Sequence, residues 1–366
     1  MLQGIRVIEI EGLGPAPFAA MMLADLGADV ICVHRKGDNT GLMPPHPIID
    51  RGKRSITLDL KSDADVETLL QLVESADVLI EGFRPGVMER LGLGPAACHA
   101  RNPGLIYGRM TGWGQDSPLA QTAGHDLNYT ALSGALWYDA TTGTPPQPPA
   151  TLLGDIGGGA LYLVAGILAA LVRRGNAHDS SPAGCVVDAA IYDGSAHMMN
   201  LLMTLQQAGQ FATMRGASLL DGPHWSRCYL CADSGHISVQ CLEPQFYAEF
   251  LSRLDLDEDA QFAQQYDKGL WPVLAARLTG IFATQPRDYW ADLFDGSDAC
   301  VAPVLSPEEA VTHPMNTRRT WIVADNGLQA APAPRFSGQG DWTAPPAPER
   351  GEHTAQILAD LMQRRR

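Results

Sequence analysis

The stretch Ile5-Arg6-Val7-Ile8-Glu9-Ile10, the turn Gly12-Leu13-Gly14, the run of small and apolar residues Pro17 to Leu26, and Asp29-Val30-Ile31-Cys32-Val33 decide the fold. Two short β-branched runs flank a segment of helical character, which is the pattern of a β-α-β unit. Working outward, the pattern repeats. Ser55-Ile56-Thr57-Leu58-Asp59-Leu60, Asp77-Val78-Leu79-Ile80-Glu81 and Leu105-Ile106-Tyr107 read as strands, and Asp63 to Glu74 has helical periodicity. A long apolar helix over Gly157 to Arg174, a polar loop over 175–184 and a strand over Cys185–Ala190 continue it. Alternating strands and helices imply an α/β fold with a parallel, doubly wound sheet that binds ligands at the carboxyl ends of its strands.

The remainder reads differently. A Met-rich helix runs from Asp193 to Gln210. A hairpin turning at Asp233-Ser234-Gly235, helices at Gln245–Leu254, Trp271–Thr284 and Pro286–Phe294, and a short strand Val301–Val304 then form a small α+β unit. Past Arg335 the chain is rich in Pro, Gly and Ala, as expected of a segment that wraps over folded structure, and a last helix covers His353 to Gln363. The expected division is a large domain over 1–190, a linker over 191–222, a small domain over 223–315 and a return segment over 316–366.

A net charge of −15 argues against nucleic acid and anionic membrane as partners, because both need a clustered basic face. Seven scattered cysteines suit a reducing compartment, with no disulfide framework. No signal peptide is read at the N-terminus, and the longest apolar run, Ala160 to Val172, is short for a bilayer, so the cytoplasm is the expected location. Cys228, Cys231, Cys241, His224 and His236 invite a zinc reading, but Cys228 and Cys231 on one strand would face opposite ways, so no metal is expected.

The chemistry-bearing motifs each have two readings. Gly12-Leu13-Gly14-Pro15-Ala16-Pro17 stands where a dinucleotide fingerprint would, yet lacks the third glycine, and His34-Arg35-Lys36 replaces the acidic ribose ligand. That basic cluster suits a phosphate, or is a solvated surface. Gly82-Phe83-Arg84 and Arg90 could grip a diphosphate, or open a surface helix with Pro85 in its first turn. His125, in Gly124-His125-Asp126-Leu127-Asn128-Tyr129, lies at a helix start whose free N–H groups could hold an enolate oxygen while the imidazole serves as base; otherwise Asp126 simply caps the helix. Asp155, in Gly154-Asp155-Ile156-Gly157-Gly158-Gly159, is a general acid, general base or nucleophile, or an N-cap. A helix start lowers a carboxyl pKa, so an acid role requires burial to win. Met198, Met199 and Met203 suit core packing or an adaptable apolar site.

Together with Leu26–Val30, Asp59–Asp63, Ala76–Gly86, Arg109-Met110-Thr111-Gly112-Trp113-Gly114-Gln115 and Glu243-Pro244-Gln245-Phe246-Tyr247, these motifs resemble the α-methylacyl-CoA racemases of the type III CoA-transferase (CaiB/BaiF) superfamily, from about Gly4 to Phe336. The resemblance implies a Rossmann-like large domain and an interlocked homodimer. It implies that His125 and Asp155 move a proton on opposite faces of the α-carbon of a 2-methyl-branched acyl-CoA, through an enolate. Glu243, from the partner's small domain, would hydrogen-bond the histidine. CoA would be held by Arg35, by Leu58, Asp59, Leu60 and Lys61, by Gly82, Phe83, Arg84 and Arg90, and by Gly124, Asp126, Leu127, Asn128 and Tyr129. No cofactor is implied, CoA being part of the substrate. Two departures stand out: Thr151 replaces an asparagine, and His224-Trp225-Ser226-Arg227-Cys228-Tyr229 differs from the usual run near the acyl group.

Rival readings are a type III CoA-transferase with Asp155 as nucleophile, an NADP-dependent oxidoreductase using the first glycine turn, and a silent acyl-CoA binder. His125 favours proton transfer over the first, the missing glycine weakens the second, and retention of His125, Asp155 and Glu243 counts against the third.

Overall fold

The structure is a computed structural model that describes residues 1–37, 48–139, 143–176, 184–318, 320–338 and 342–364. The first half runs β1 (Arg6–Ile10), α1 (Pro15–Asp25), β2 (Asp29–Arg35), β3 (Arg54–Leu58), α2 (Asp63–Val73), β4 (Val78–Glu81), α3 (Val87–Arg90), α4 (Pro95–Arg101), β5 (Ile106–Thr111) and α5 (Asp126–Ser133). A π-helical segment, Leu152–Ala160, leads into α6 (Leu161–Gly175), β6 (Cys185–Ala190), α7 (Ile191–Met198) and α8 (Asn200–Gln207). Then come β7 (Ser226–Leu230), β8 (His236–Gln240), α9 (Pro244–Arg253), α10 (Trp271–Phe282), α11 (Arg287–Phe294), β9 (Val301–Val304), α12 (Pro307–Thr312), β10 (Trp321–Ala324), β11 (Gly327–Ala330) and α13 (Thr354–Arg364).

The large sheet is six-stranded and parallel, in the order β3-β2-β1-β4-β5-β6. The chain reverses direction of winding between β1 and β4, and in such sheets the crevice at that point takes the ligand. The strands are rich in Val and Ile because both faces are covered. On one face α1 brings Ala16, Ala19 and Ala20 close to the strands, and α6 buries Leu163, Val164, Ile167 and Ala170. On the other, α2, α4 and α13 supply Leu69, Leu72, Cys98, Ile357 and Leu361.

β3 is an edge strand, and the return segment covers it. The backbone N–H of Ser55 donates to His353 Nδ1 (3.2 Å), the N–H of His353 donates to Ser55 O (2.9 Å), and the N–H of Gly351 donates to Ser55 Oγ (2.7 Å). Paired edges resist association with other chains. The wrapping expected from the Pro/Gly/Ala composition is this contact.

By internal packing the chain divides into a large unit, Met1–Leu136, Pro148–Met198 and Asn316–Arg366, and a small unit, Trp137–Gln147 and Met199–Met315. The stretch read as a linker is shared: α7 belongs to the large unit and α8 to the small one. The single Met-rich helix of the sequence reading is thus two helices. The small unit pairs β7-β8-β9 antiparallel around an aromatic core that includes Trp225, Phe250, Phe262, Phe282 and Trp290. Part of the polar loop read over 175–184 lies outside the described residues. With its π-helical start, the helix over Leu152–Gly175 is long and apolar enough to cross a membrane by length and composition, longer than the run read from sequence; Leu163, Val164 and Ile167 are nevertheless buried in the core of the large unit.

Candidate active site

The carboxyl ends of β2, β3 and β4 each contribute a loop from the sequence-derived set, and the strand order brings those ends together. Arg35 ends β2 and pairs in register with Leu58 at the end of β3. The turn after β3 is held by Asp59: its N–H donates to Asp65 Oδ2 (2.7 Å) and its Oδ1 accepts from the N–H of Lys61 (3.1 Å). After β4, the N–H of Phe83 donates to Glu81 Oε2 (2.7 Å), and a Cβ on Gly82 would stand 3.2 Å from Ala16 Cβ, so this loop lies against the start of α1.

Of the His34-Arg35-Lys36 cluster only Arg35 keeps an open head group. His34 is buried with Nδ1 2.8 Å from Ser55 Oγ, and Lys36 pairs with Asp65 at 2.6 Å. Among the described residues, the cationic groups of Arg35, Lys61, Arg84 and Arg90 have no carboxylate partner, and all four are exposed. Open cations at strand ends on an acidic protein suit a polyanionic ligand such as a phosphorylated nucleotide.

The sequence reading missed what holds the Arg84 loop. Arg109, buried at the end of β5, places Nε 2.9 Å from Glu81 Oε1 and Nη1 2.8 Å from Glu89 Oε1 on α3. Burial raises the Glu81 carboxyl, while Arg109 and the Phe83 N–H act to lower it. One guanidinium therefore ties the turn of Phe83 to the helix of Arg90; removing one partner of its buried pair with Glu81 costs about 3–5 kcal/mol, whereas Glu89 is exposed.

His125 occupies the N-cap of α5 with an extended backbone, and its imidazole belongs to an exposed residue. The first-turn N–H groups of Asp126 and Leu127 have no acceptor within the helix. Asp126 is not the helix cap that the plainer reading supposed. Its Oδ1 accepts the backbone N–H of Asp155 (2.7 Å), joining the two motifs directly.

Asp155 is likewise no N-cap. It lies in the π-helical segment, where the N–H of Ile156 reaches back to Thr151 O (3.1 Å). Three glycines make this wider turn possible by letting it press on α7: a Cβ on Gly158 would stand 2.8 Å from Ser195 N and 2.9 Å from Ile191 O. Asp155 Oδ2 lies 3.8 Å from the Cβ position of Gly14, so the first glycine turn borders the carboxylate. Burial is the largest influence on Asp155 and raises its pKa; the Asp126 charge adds to the rise, while the Thr151 hydroxyl and the His125 charge oppose it. Burial thus acts in the direction that an acid role requires.

Thr151 departs from the expected asparagine without losing its hydrogen bond: Oγ1 donates to Asp155 Oδ2 at 2.6 Å. It does so at φ 64°, a left-handed conformation that costs a β-branched residue energy. The other departure is mostly internal. His224, Trp225 and Tyr229 are buried in the small unit, with His224 Nε2 2.7 Å from the Tyr247 hydroxyl, and burial lowers the His224 pKa to about 4. Cys228 is exposed and Cys231 buried, which fits the opposed orientation inferred from spacing. Met198 packs with Cε 3.5 Å from the Cβ position of Gly157. Glu243 belongs to the small unit, exposed at the N-cap of α9.

Comparison with known proteins gives consistent results. The profile of CoA-transferase family III matches residues 2–354. Alpha-methylacyl-CoA racemase of Mus musculus is 40% identical over 365 residues, covering 98% of this chain and 93% of that protein. The enzyme of the same name from Homo sapiens is 38% identical over the same coverage. Among solved structures, a CAIB/BAIF family protein from Brucella suis superposes with a TM-score of 0.80 at 26% identity, over 98% of both chains.

Proposed function

The chain belongs to CoA-transferase family III, and from that premise we propose that it is an enzyme that epimerises the α-carbon of 2-methyl-branched acyl-CoA thioesters. The observation that carries this reading is the pairing of an exposed histidine at a helix start with a half-buried carboxyl of raised pKa, the two motifs linked through Asp126. In the proposed cycle His125 removes the α-proton from one face, and Asp155 returns a proton to the other. The enolate oxygen accepts hydrogen bonds from first-turn N–H groups of α5. Burial raises the carboxyl pKa, which makes Asp155 a better holder and donor of a proton than a solvated aspartate. Arg35, Lys61, Arg84 and Arg90 are proposed to hold the CoA phosphates, and Phe83 to face the adenine. Proton transfer between two side chains calls for no separate cofactor, CoA being the carrier of the acyl group. Glu243 is proposed to orient His125 from the small unit of a second copy in a homodimer, and the cytoplasm is the proposed location.

The test uses one enantiomer of a 2-methylacyl-CoA in deuterated water. The expected result is α-deuteration with loss of optical purity and no requirement for an acceptor acid. Transfer of CoA to an added carboxylate without α-exchange would overturn it in favour of Asp155 as a nucleophile forming a mixed anhydride.

A further inference from the structure

The peptide unit between Gly124 and His125 is held at both ends by side chains of the helix it introduces. On one side, the His125 N–H donates to Asn128 Oδ1 at 3.1 Å. On the other, the Tyr129 hydroxyl donates to the Gly124 carbonyl. These residues stand three and four positions after His125, one turn along α5. Tyr129 is fixed in turn. Its ring meets Trp113 edge-on, with centroids 4.7 Å apart and an interplanar angle of 83°. A Cβ on Gly124 would stand 2.8 Å from Tyr129 Cε1 and 3.0 Å from Trp113 Cζ2, and a Cβ on Gly112 would collide with the Tyr129 ring. Trp113 is 8% exposed, so this ring pair is rigid packing inside the large unit. With the peptide plane fixed at its carbonyl and at its N–H, the His125 Cα has only its own torsions left.

We infer that Tyr129 and Asn128 are positioning residues that aim the His125 imidazole, and that Tyr129 acts through this peptide and not by holding CoA. The inference rests on the proposed racemase chemistry and adds to it an asymmetry: the pin serves one base of the pair. Asp155 makes its own hydrogen bonds, with Thr151 and through its N–H with Asp126, and shares none with the pin; it meets Tyr129 only through its charge.

The test is Tyr129→Phe, which keeps the ring packed on Trp113 and removes the hydroxyl alone. For the enantiomer whose α-hydrogen faces His125, kcat for exchange and inversion should fall about 10–100-fold with KM changed less than about threefold, because misplacing a proton acceptor costs on that scale. For the enantiomer facing Asp155, α-deuteration should continue near the wild-type rate while inversion slows, since return of deuterium from Asp155 needs no histidine. Asn128→Ala should show the same asymmetry more weakly. Equal loss for both enantiomers, or weakened CoA binding with kcat intact, overturns the inference while leaving the racemase reading standing. The His125 ring is also followed by ¹H–¹⁵N spectroscopy. Tyr129→Phe is expected to broaden or double its signals; an unchanged ring spectrum overturns the inference even if the wild-type enzyme proves to be no racemase.

Discussion

At the start of α5 the histidine stands at an ordinary α-helical N-cap, exposed, its preceding peptide bonded to side chains one turn further along the same helix. Asp155 sits half-buried in a π-helical turn that exists because Gly154, Gly158 and Gly159 let it press against α5 and α7. The first base is positioned by local sequence and the second by tertiary packing. Local positioning leaves the His125 side chain exposed to water. Tertiary positioning removes it from water, and that removal is what lifts the carboxyl pKa.

Replacing the bases should break this comparison most widely. Asp155→Asn is expected to abolish inversion of both enantiomers, by about 10³-fold or more in kcat. His125→Ala should also stop inversion, yet leave α-deuteration of the Asp155-facing enantiomer measurable by mass spectrometry. Equal and complete loss of exchange in both variants would remove the distinction between the two bases.

A smaller effect is expected from Gly158→Ala. The added methyl would meet Ser195 Oγ at 2.5 Å and, behind it, the Ser195 N and Ile191 O main-chain atoms at 2.8 and 2.9 Å, so the π-turn must shift or the large unit must loosen. Overpacking of this kind costs about 1–3 kcal/mol, read as a lowered denaturation midpoint. A variant of wild-type stability and activity would show that the turn has slack and that Asp155 is not held by packing.

Thr151→Ala sharpens the electrostatic half. The threonine hydroxyl bonds the carboxylate form and lowers a pKa that burial raises, so its loss should raise that pKa further. The sign follows directly: Asp155 would stay protonated to higher pH, and the acid limb of kcat/KM for the Asp155-facing enantiomer should move up by about one pH unit. The limb for the other enantiomer should show the opposite dependence on Asp155, since there the protonated acid is needed. A limb that moves down, or not at all, means that the hydroxyl does not favour the charged form. At φ 64° alanine lacks the β-branch that makes threonine costly there, so stability should not fall.

The same local-versus-tertiary division explains what could be read from sequence. The strands of the large sheet were legible because each is a short run containing β-branched residues, and β6 and the small unit's β9 begin and end where composition placed them. His125 was legible at its helix start because capping is a local signal. The π-turn read as plain α-helix, since three glycines indicate close approach without saying to what. The Glu81–Arg109–Glu89 network joins residues 28 and 20 positions apart, and no spacing rule marks such a pair. The β10–β11 hairpin was passed over in the return segment, where only the last helix was read. The His224–Tyr229 segment was read for its place near the acyl group in relatives, and its own pattern did not mark that His224, Trp225 and Tyr229 are buried in the small unit.

The contact of Ser55 with His353 spans 298 positions in the chain. During synthesis, at roughly 5–20 residues per second, β3 therefore waits on the order of 15 s or longer for the segment that covers it. Until then the nascent protein carries an open strand edge, whose unpaired N–H and C=O groups are a template for pairing with other chains. Assembly of the large unit thus waits on residues made long after β3, and a chain stopped before Gly351 would keep that early edge open for the lifetime of the protein.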